Sequence, residues 1–251
     1  MYNGYIILKY DSWKQFKSDI YYDLVDMEKL PYRTFLFRGQ SNESWTLKSS
    51  FDRLFGEYDF KTKNFIENNL INEFKKSCYD DLGINDIENY TDIQILSLGQ
   101  HYGLPTRLLD WSYSLYIAVY FAYSNVNKSR ENVVIWALNK DHIIWQNSDA
   151  VLFTEHRVKE NNNQKNQMGI FTLNKSLYND LEEYAKQSTL ISNISKKDAL
   201  YKIIIPAKDK EVVLADLEQM GINSVKMFKG FEGCAKTALE KTISTISSKK
   251  I

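Results

Sequence analysis

Cysteine is scarce in this chain: only Cys78 and Cys234 occur in 251 residues. They lie far apart and belong to no metal-ligand spacing, and three scattered histidines add no zinc pattern. The sequence therefore offers no structural metal site, and its thiols are expected to be reduced and inert. An excess of either charge is also missing, because 32 basic residues balance 32 acidic ones. No global field exists to hold nucleic acid or an anionic membrane, although a local basic groove stays open. Long apolar runs are absent too. The longest, around residues 115–123, is short and tyrosine-rich, so it does not span a bilayer, and no basic and apolar leader opens the chain. A cytoplasmic protein with no membrane partner is the expectation.

What the chain does have is core-forming material: 43% of its residues are hydrophobic and 14% aromatic, ample for one large domain over 1–251. Residues 34–240 form the body and 241–251 a polar, solvated tail. Trp13 to Lys29 has the spacing of an amphipathic helix, with Trp13, Phe16, Ile20, Leu24 and Met27 on one stripe behind Asp11 and Ser12 as caps. Lys63 to Tyr79 repeats the pattern through Phe65, Ile66, Leu70, Phe74 and Cys78, with Thr62 as its cap. Strands are predicted at Thr34 to Phe37, Val133 to Leu138, Ile170 to Leu173 and Lys202 to Ile205. A helix over Lys208 to Gly221 is ended by its glycine, and Lys159 to Gln167, lacking any apolar residue, reads as a mobile loop. The irregular order of elements favours an α+β fold, with a mixed, mainly antiparallel sheet core flanked by helices.

The chemistry is concentrated in Gln100 to Ser112. An imidazole, a guanidinium, a carboxylate, three hydroxyls and an indole stand there within thirteen residues bent by Gly103 and Pro105. Buried polar groups cost free energy unless they meet a partner or a ligand, so such a mixture fits a cleft. Its companion is Arg38, carried on a short strand that ends at Gly39, where a chain turns or lets a ligand near its backbone. A guanidinium there calls for a carboxylate or phosphate. The alternative is an internal ion pair with Asp110 or Asp52. Ser112 either contacts a ligand or caps the helix beginning near Tyr113, and Asp110 caps that helix or holds Arg107. His101 reads equally as a general base and as a locked turn residue. Trp111 either stacks on a ring or belongs to the core, and Tyr113, Tyr116, Tyr120 and Tyr123 form a sheet-packing stripe.

Residues 35–53 (FLFRGQSNESWTLKSSFDR) and 96–122 (LSLGQHYGLPTRLLDWSYSLYIAVYFA) resemble the FRG domain family, whose Phe-Arg-Gly triplet stands here as Phe37-Arg38-Gly39. The resemblance extends through 166–173 and 201–233, which makes the chain a single FRG domain. A second resemblance is to ADP-ribosyltransferases of the Arg-Ser-Glu type. Phe37-Arg38-Gly39 is similar to their first element, and Ser112-Tyr113-Ser114 before a helix with Ala118 and Phe121 is similar to their second. Where the third element has a glutamate, this chain has Gln167.

These resemblances imply an ADP-ribosyltransferase-like fold and a cleft that takes NAD as substrate, without a metal. Arg38, His101, Ser112 and Gln167 would be its catalytic positions. Arg38, Gly39, Gln40, Tyr102, Arg107, Trp111, Ser112 and Ser114 would be its nucleotide-binding ones. An enzyme of this kind breaks the bond to nicotinamide through an oxocarbenium-like state, which needs a nearby negative charge. Glu160, Glu182, Glu183 or His101 would have to assist Gln167. The acceptor would be a protein or nucleic acid, and the bacterial and phage setting of FRG proteins implies a toxin or anti-phage effector with an inhibitory partner protein. The alternative is a non-catalytic sensor of a nucleotide or nucleic-acid end. A hydrolase using His101 and Asp110 as base and orienter is a third reading.

Overall fold

A computed structural model describes residues 4–24, 33–126, 130–155, 167–192, 199–228 and 230–249. Seven strands form one sheet: β1 (Ile6–Lys9), β2 (Phe35–Gln40), β3 (Leu108–Ser112), β4 (Asn132–Asn139), β5 (Val151–Thr154), β6 (Gly169–Asn174) and β7 (Leu200–Pro206). Their order across the sheet is β1-β7-β4-β2-β3-β6-β5. Every neighbouring pair is antiparallel except β1 with β7. The fold is thus α+β with a mainly antiparallel sheet, as the order of elements implied. The four predicted strands are present, each slightly longer than its apolar run, while β1, β3 and β5 were hidden by their shortness or by polar content.

The helices are α1 (Trp13–Leu24), α2 (Ser50–Phe55), α3 (Phe60–Leu82), α4 (Asp92–His101), α5 (Leu115–Ser124), α6 (Leu181–Ser192), α7 (Lys210–Gln219), α8 (Ser224–Met227) and α9 (Phe231–Lys249). On one sheet face, Val133, Ile135 and Ala137 of β4 pack with Phe16 and Ile20 of α1, with α5, and with Val213 and Leu217 of α7. The alternate residues Val134, Trp136 and Leu138 face the other way, against Leu47, Trp145 and Leu181. This two-residue period is what a strand buried on both faces requires. A third cluster seats α3 and α4 on the outer strands through Ile71, Cys78, Ile95, Leu108 and Phe171.

Several sequence expectations change. Helix α1 bears out the buried stripe Trp13, Phe16, Ile20 and Leu24, and residues 25–29 lie outside the described residues, as do 159–166 of the predicted loop. Helix α3 begins at Phe60, capped by Asp59, whose carboxylate accepts from the Thr62 amide at 2.7 Å. Its buried face holds Lys63, Ile71 and Cys78 while Phe65 is exposed. The stripe was misplaced because Lys63 sits inside, where its Nζ is 2.8 Å from Asp52 and thereby neutralised. Residues 241–249, expected as a tail, are helical. The tyrosine stripe is divided: Tyr120 and Tyr123 are buried, whereas Tyr113 precedes α5 and donates to Glu155 at 2.6 Å.

Candidate functional site

The cleft originates in the sheet itself. Strands β2 and β3 are paired at a single position, Phe37 opposite Ser112, while β2 pairs with β4 along its whole length. Beyond that position β2 and β3 separate, and Arg38 enters the gap, its Nη1 donating to the Asp110 carbonyl at 2.7 Å and lying 3.7 Å from the Asp110 carboxylate. The opening is a cleft of about 990 Å³, within the usual range for small-molecule sites. Strand β2 does not end at Gly39. It continues to Gln40, and the glycine serves a different need: a Cβ there would lie 1.9 Å from the Ala118 carbonyl oxygen of α5. Close helix-on-strand packing therefore forms one wall.

The floor is polar and incompletely paired. Arg38 Nε is buried with no hydrogen-bond partner, and Ser97 Oγ, on the inner face of α4 in a residue 1% exposed, has none either. Burial lowers the Arg38 pKa, opposed by Asp110 and reinforced by the neighbouring Arg53 charge. Two guanidiniums thus share one cleft, and Lys48 lines it as well. Asp110 is held by Gln100, whose Nε2 donates to its carboxylate at 2.9 Å, and Gln100 in turn accepts from the Thr106 hydroxyl. Among the described contacts none joins His101 to Asp110. His101 lines the cleft from the exposed end of α4, its ring packed edge-on against Tyr102.

The sequence-selected residues separate into three groups. Arg38, Gly39, Gln40, His101, Trp111, Ser112 and Gln167 all line the cleft. Of these, Gln40, Trp111, Ser112 and Gln167 have side-chain polar atoms engaged within the protein. Gln40 accepts from Trp136 Nε1 at 2.8 Å and donates to the Thr46 carbonyl at 3.0 Å. Trp111 is buried and donates to Thr172 at 2.9 Å, so its indole is core rather than a stacking platform. Ser112 donates to the Gln167 carbonyl at 2.7 Å and accepts from the Ser114 amide at 3.0 Å. The cap of α5 is Ser114, which accepts from the Ile117 amide, not Ser112.

Tyr102, Arg107 and Ser114 are outside the cleft lining. Tyr102 is 70% exposed at the end of α4. Arg107 is buried against α3, donating to Asn64 at 2.9 Å, 3.8 Å from Glu67 and stacked on Phe51. It does not hold Asp110. Glu182 and Glu183 belong to α6 and do not line the cleft, and Glu160 lies outside the described residues. Gln167 uses its side-chain amide to grip the Met227 carbonyl at 3.0 Å, tying α8 to the cleft mouth.

Sequence reasoning missed Trp45, Arg53, Ser97, Phe121 and Phe228. Trp45 is 50% exposed on the cleft rim, and Phe121 meets Phe228 edge-on at 6.0 Å on another wall. The signal for Trp45 was present: an indole in the polar run Ser41 to Ser44 has no apolar periodicity to bury it.

The segment containing most of these residues is a recognisable module. Residues 33–131 match the FRG domain. The matched FRG segment supplies β2, α4, β3 and α5, hence Arg38, Ser97, Asp110 and Ser112, while Gln167 and Phe228 complete the cleft from beyond it. No curated protein and no solved structure matches the chain. Among the described residues no helix is long and apolar enough to cross a membrane, and no group of three or more His, Cys, Asp or Glu is placed to hold a metal ion.

Proposed function

We propose that the FRG cleft binds a nucleotide, with the phosphate on Arg38 and the base against an aromatic wall. The observation that carries this reading is the unpartnered, buried Nε of Arg38. A guanidinium with one edge satisfied by Asp110 and a buried Nε without an acceptor is matched by a phosphate oxygen, and Arg53 beside it adds to the attraction. Ser97 Oγ offers a second hydrogen-bonding group on the floor. Trp45, half exposed in the cleft lining, offers an indole for a base to stack on. Calorimetric titration of NAD, ADP-ribose and nucleoside monophosphates tests this reading. Binding lost in Arg38→Ala supports it, and binding indifferent to Arg38 refutes it.

The reading extends to two uses of the bound nucleotide. As a sensor, the protein needs only the cleft. As an ADP-ribosyltransferase-like enzyme acting on NAD, it would break the ribose C1′ bond to nicotinamide, pass through an oxocarbenium-like state and hand the ADP-ribosyl group to a nucleophile that loses a proton. The favourable observation is the convergence of Arg38, Ser112 and the α5 wall in one cleft, in the chain order of the resemblance. The charge for that state would come from Asp110, which is exposed within the cleft, because Gln167 carries none and its amide is committed to Met227. Nicotinamide release separates the two uses. Release that stops in Asp110→Asn identifies the enzyme, and nucleotide binding without release identifies the sensor. A toxin or anti-phage role would follow from the enzymatic use, with a macromolecular acceptor and an inhibitory partner.

A further inference from the structure

Trp45 stands on a loop fastened once inside the cleft and once outside it. Residues 41–46 follow β2, and the segment is fastened immediately after Trp45 at two points. The Gln40 amide holds the Thr46 carbonyl at 3.0 Å, and the Leu47 amide donates to the Glu182 carboxylate at 2.6 Å. The second fastening is unusual in its surroundings. Glu182 is 8% exposed, in the first turn of α6, and its neighbours Leu47, Leu181 and Ala185 are fully or almost fully buried. Among the described residues it forms no ion pair. The Leu47 carbonyl accepts from the Leu181 amide at 3.3 Å, and the backbones of Lys48 and Asp180 form an isolated antiparallel β-bridge, so the N-terminal turn of α6 and the end of the loop are stitched side by side.

We propose that Glu182 is a positioning residue for the nucleotide cleft, holding the wall that presents Trp45 through the Leu47 amide, so that the charge on this one carboxylate sets how often the wall opens. The proposal rests on the reading of the cleft as a nucleotide site, and the geometry of the fastening stands without it.

The groups facing Glu182 fix the direction of the effect. Tyr5, Asp180 and Lys202 of β7 act on it electrostatically, and Lys202 lies over the rings of Tyr5 and Trp136. Glu183 and Lys186 follow on α6 itself. Burial raises the Glu182 pKa to about 7, and the Leu47 hydrogen bond and Lys202 only partly offset it. Two effects compete when the carboxyl ionises: the bond from Leu47 strengthens, since charge-assisted bonds are the stronger kind, and the cost of a buried charge appears. Burial is the larger of the two here. A wall that opens hands Glu182 to water, where a carboxyl ionises more readily. The closed wall therefore retains its proton up to a higher pH than the open one, and opening is favoured as pH rises from the ordinary glutamate range through 7.

The test needs no ligand. Of the five tryptophans, Trp13, Trp111, Trp136 and Trp145 are buried, so acrylamide quenching reports Trp45. Quenching and amide exchange of a peptide spanning residues 42–50, the latter corrected for the intrinsic pH dependence of exchange, are followed from pH 5 to 8.5. In the wild-type protein the opening equilibrium should rise with a midpoint near 7, by at most about 70-fold between pH 5 and 8.5 for a shift of this size. Glu182→Gln, which keeps an acceptor for Leu47 without a titrating charge, should be flat. Lys202→Met removes a neighbouring cation and should move the wild-type midpoint to higher pH, which keeps the test open if Glu182→Gln does not fold. A flat wild-type profile, an unchanged step in Glu182→Gln, or an unmoved midpoint in Lys202→Met overturns the proposal. Because no nucleotide is present, these outcomes are independent of whether the cleft binds one.

Discussion

Arg38 shows how one side chain has both a structural and a ligand-directed edge. Its Nη1 closes on the Asp110 carbonyl, which is the internal partner the sequence allowed for, while its Nε is left without one. Arg38→Ala should abolish nucleotide binding at a cost on the order of 2–5 kcal/mol, and Arg38→Lys should recover little, because an ammonium cannot occupy both edges. Calorimetry gives the affinities and circular dichroism checks that the fold survives. Trp45→Ala should weaken binding by about 1–3 kcal/mol, the range found for base stacking on an aromatic side chain, and should remove the quenching change on ligand addition. At this scale the sequence was legible where a residue type has few uses. Arg38 was found by its awkwardness on an apolar strand. Trp111 was left between core and stacking, and Arg107 was placed in the cleft that it does not line, because an indole and a guanidinium are as well suited to packing as to binding, and their neighbours Thr172 and Asn64 are remote in sequence.

Among the elements, the contact of α5 with β2 is the tightest. Gly39 faces Ala118 and Ala122, one helical turn apart, and its missing side chain allows the approach. Gly39→Ala should destabilise the protein by at least about 1–3 kcal/mol, the usual cost of overpacking, seen as a lower midpoint in urea. The effect should appear in stability before it appears in affinity. Arg107→Ala is the counterpart on α3: it leaves Glu67, whose pKa burial already raises, without its cation, and should cost about 3–5 kcal/mol in the same experiment. Folded Arg107→Ala protein should bind nucleotide as the wild type does, since Arg107 does not line the cleft. Periodicity located α1, β4 and β7, whose burial follows apolar residues. It located α3 and its buried Cys78 but misjudged the helix's inward face, where Lys63 is buried, and it failed at β3, where Asp110 interrupts a five-residue strand.

Across the whole molecule, one sheet gathers strands from Ile6 to Pro206, so distant parts of the chain depend on one another. Denaturant unfolding followed by far-ultraviolet circular dichroism and by tryptophan fluorescence should give coincident curves, because Trp13 lies on one sheet face and Trp111, Trp136 and Trp145 on the other. Separate curves would divide the chain into units that unfold independently. The pH dependence of this stability carries a defined sign from Glu182. Its pKa is raised in the folded state, so the folded protein binds the extra proton between roughly the ordinary glutamate value and 7, and stability falls as pH rises across that window. At pH 8 Glu182→Gln should be the more stable protein by up to about 3 kcal/mol, and the two should converge toward pH 5.

The single pairing of β2 with β3 also gives the sheet a mechanical character. Strands β1, β7, β4 and β2 make one panel and β3, β6 and β5 another, joined by one rung at Phe37 and Ser112 and, across the gap, by the Arg38 side chain standing in for a missing backbone donor. A phosphate on Nε leaves Nη1 with the Asp110 carbonyl and fixes the same side chain that closes the seam. Filling the cleft and bracing the seam then fall to one guanidinium, so an occupied site should hold the two panels together more firmly than an empty one.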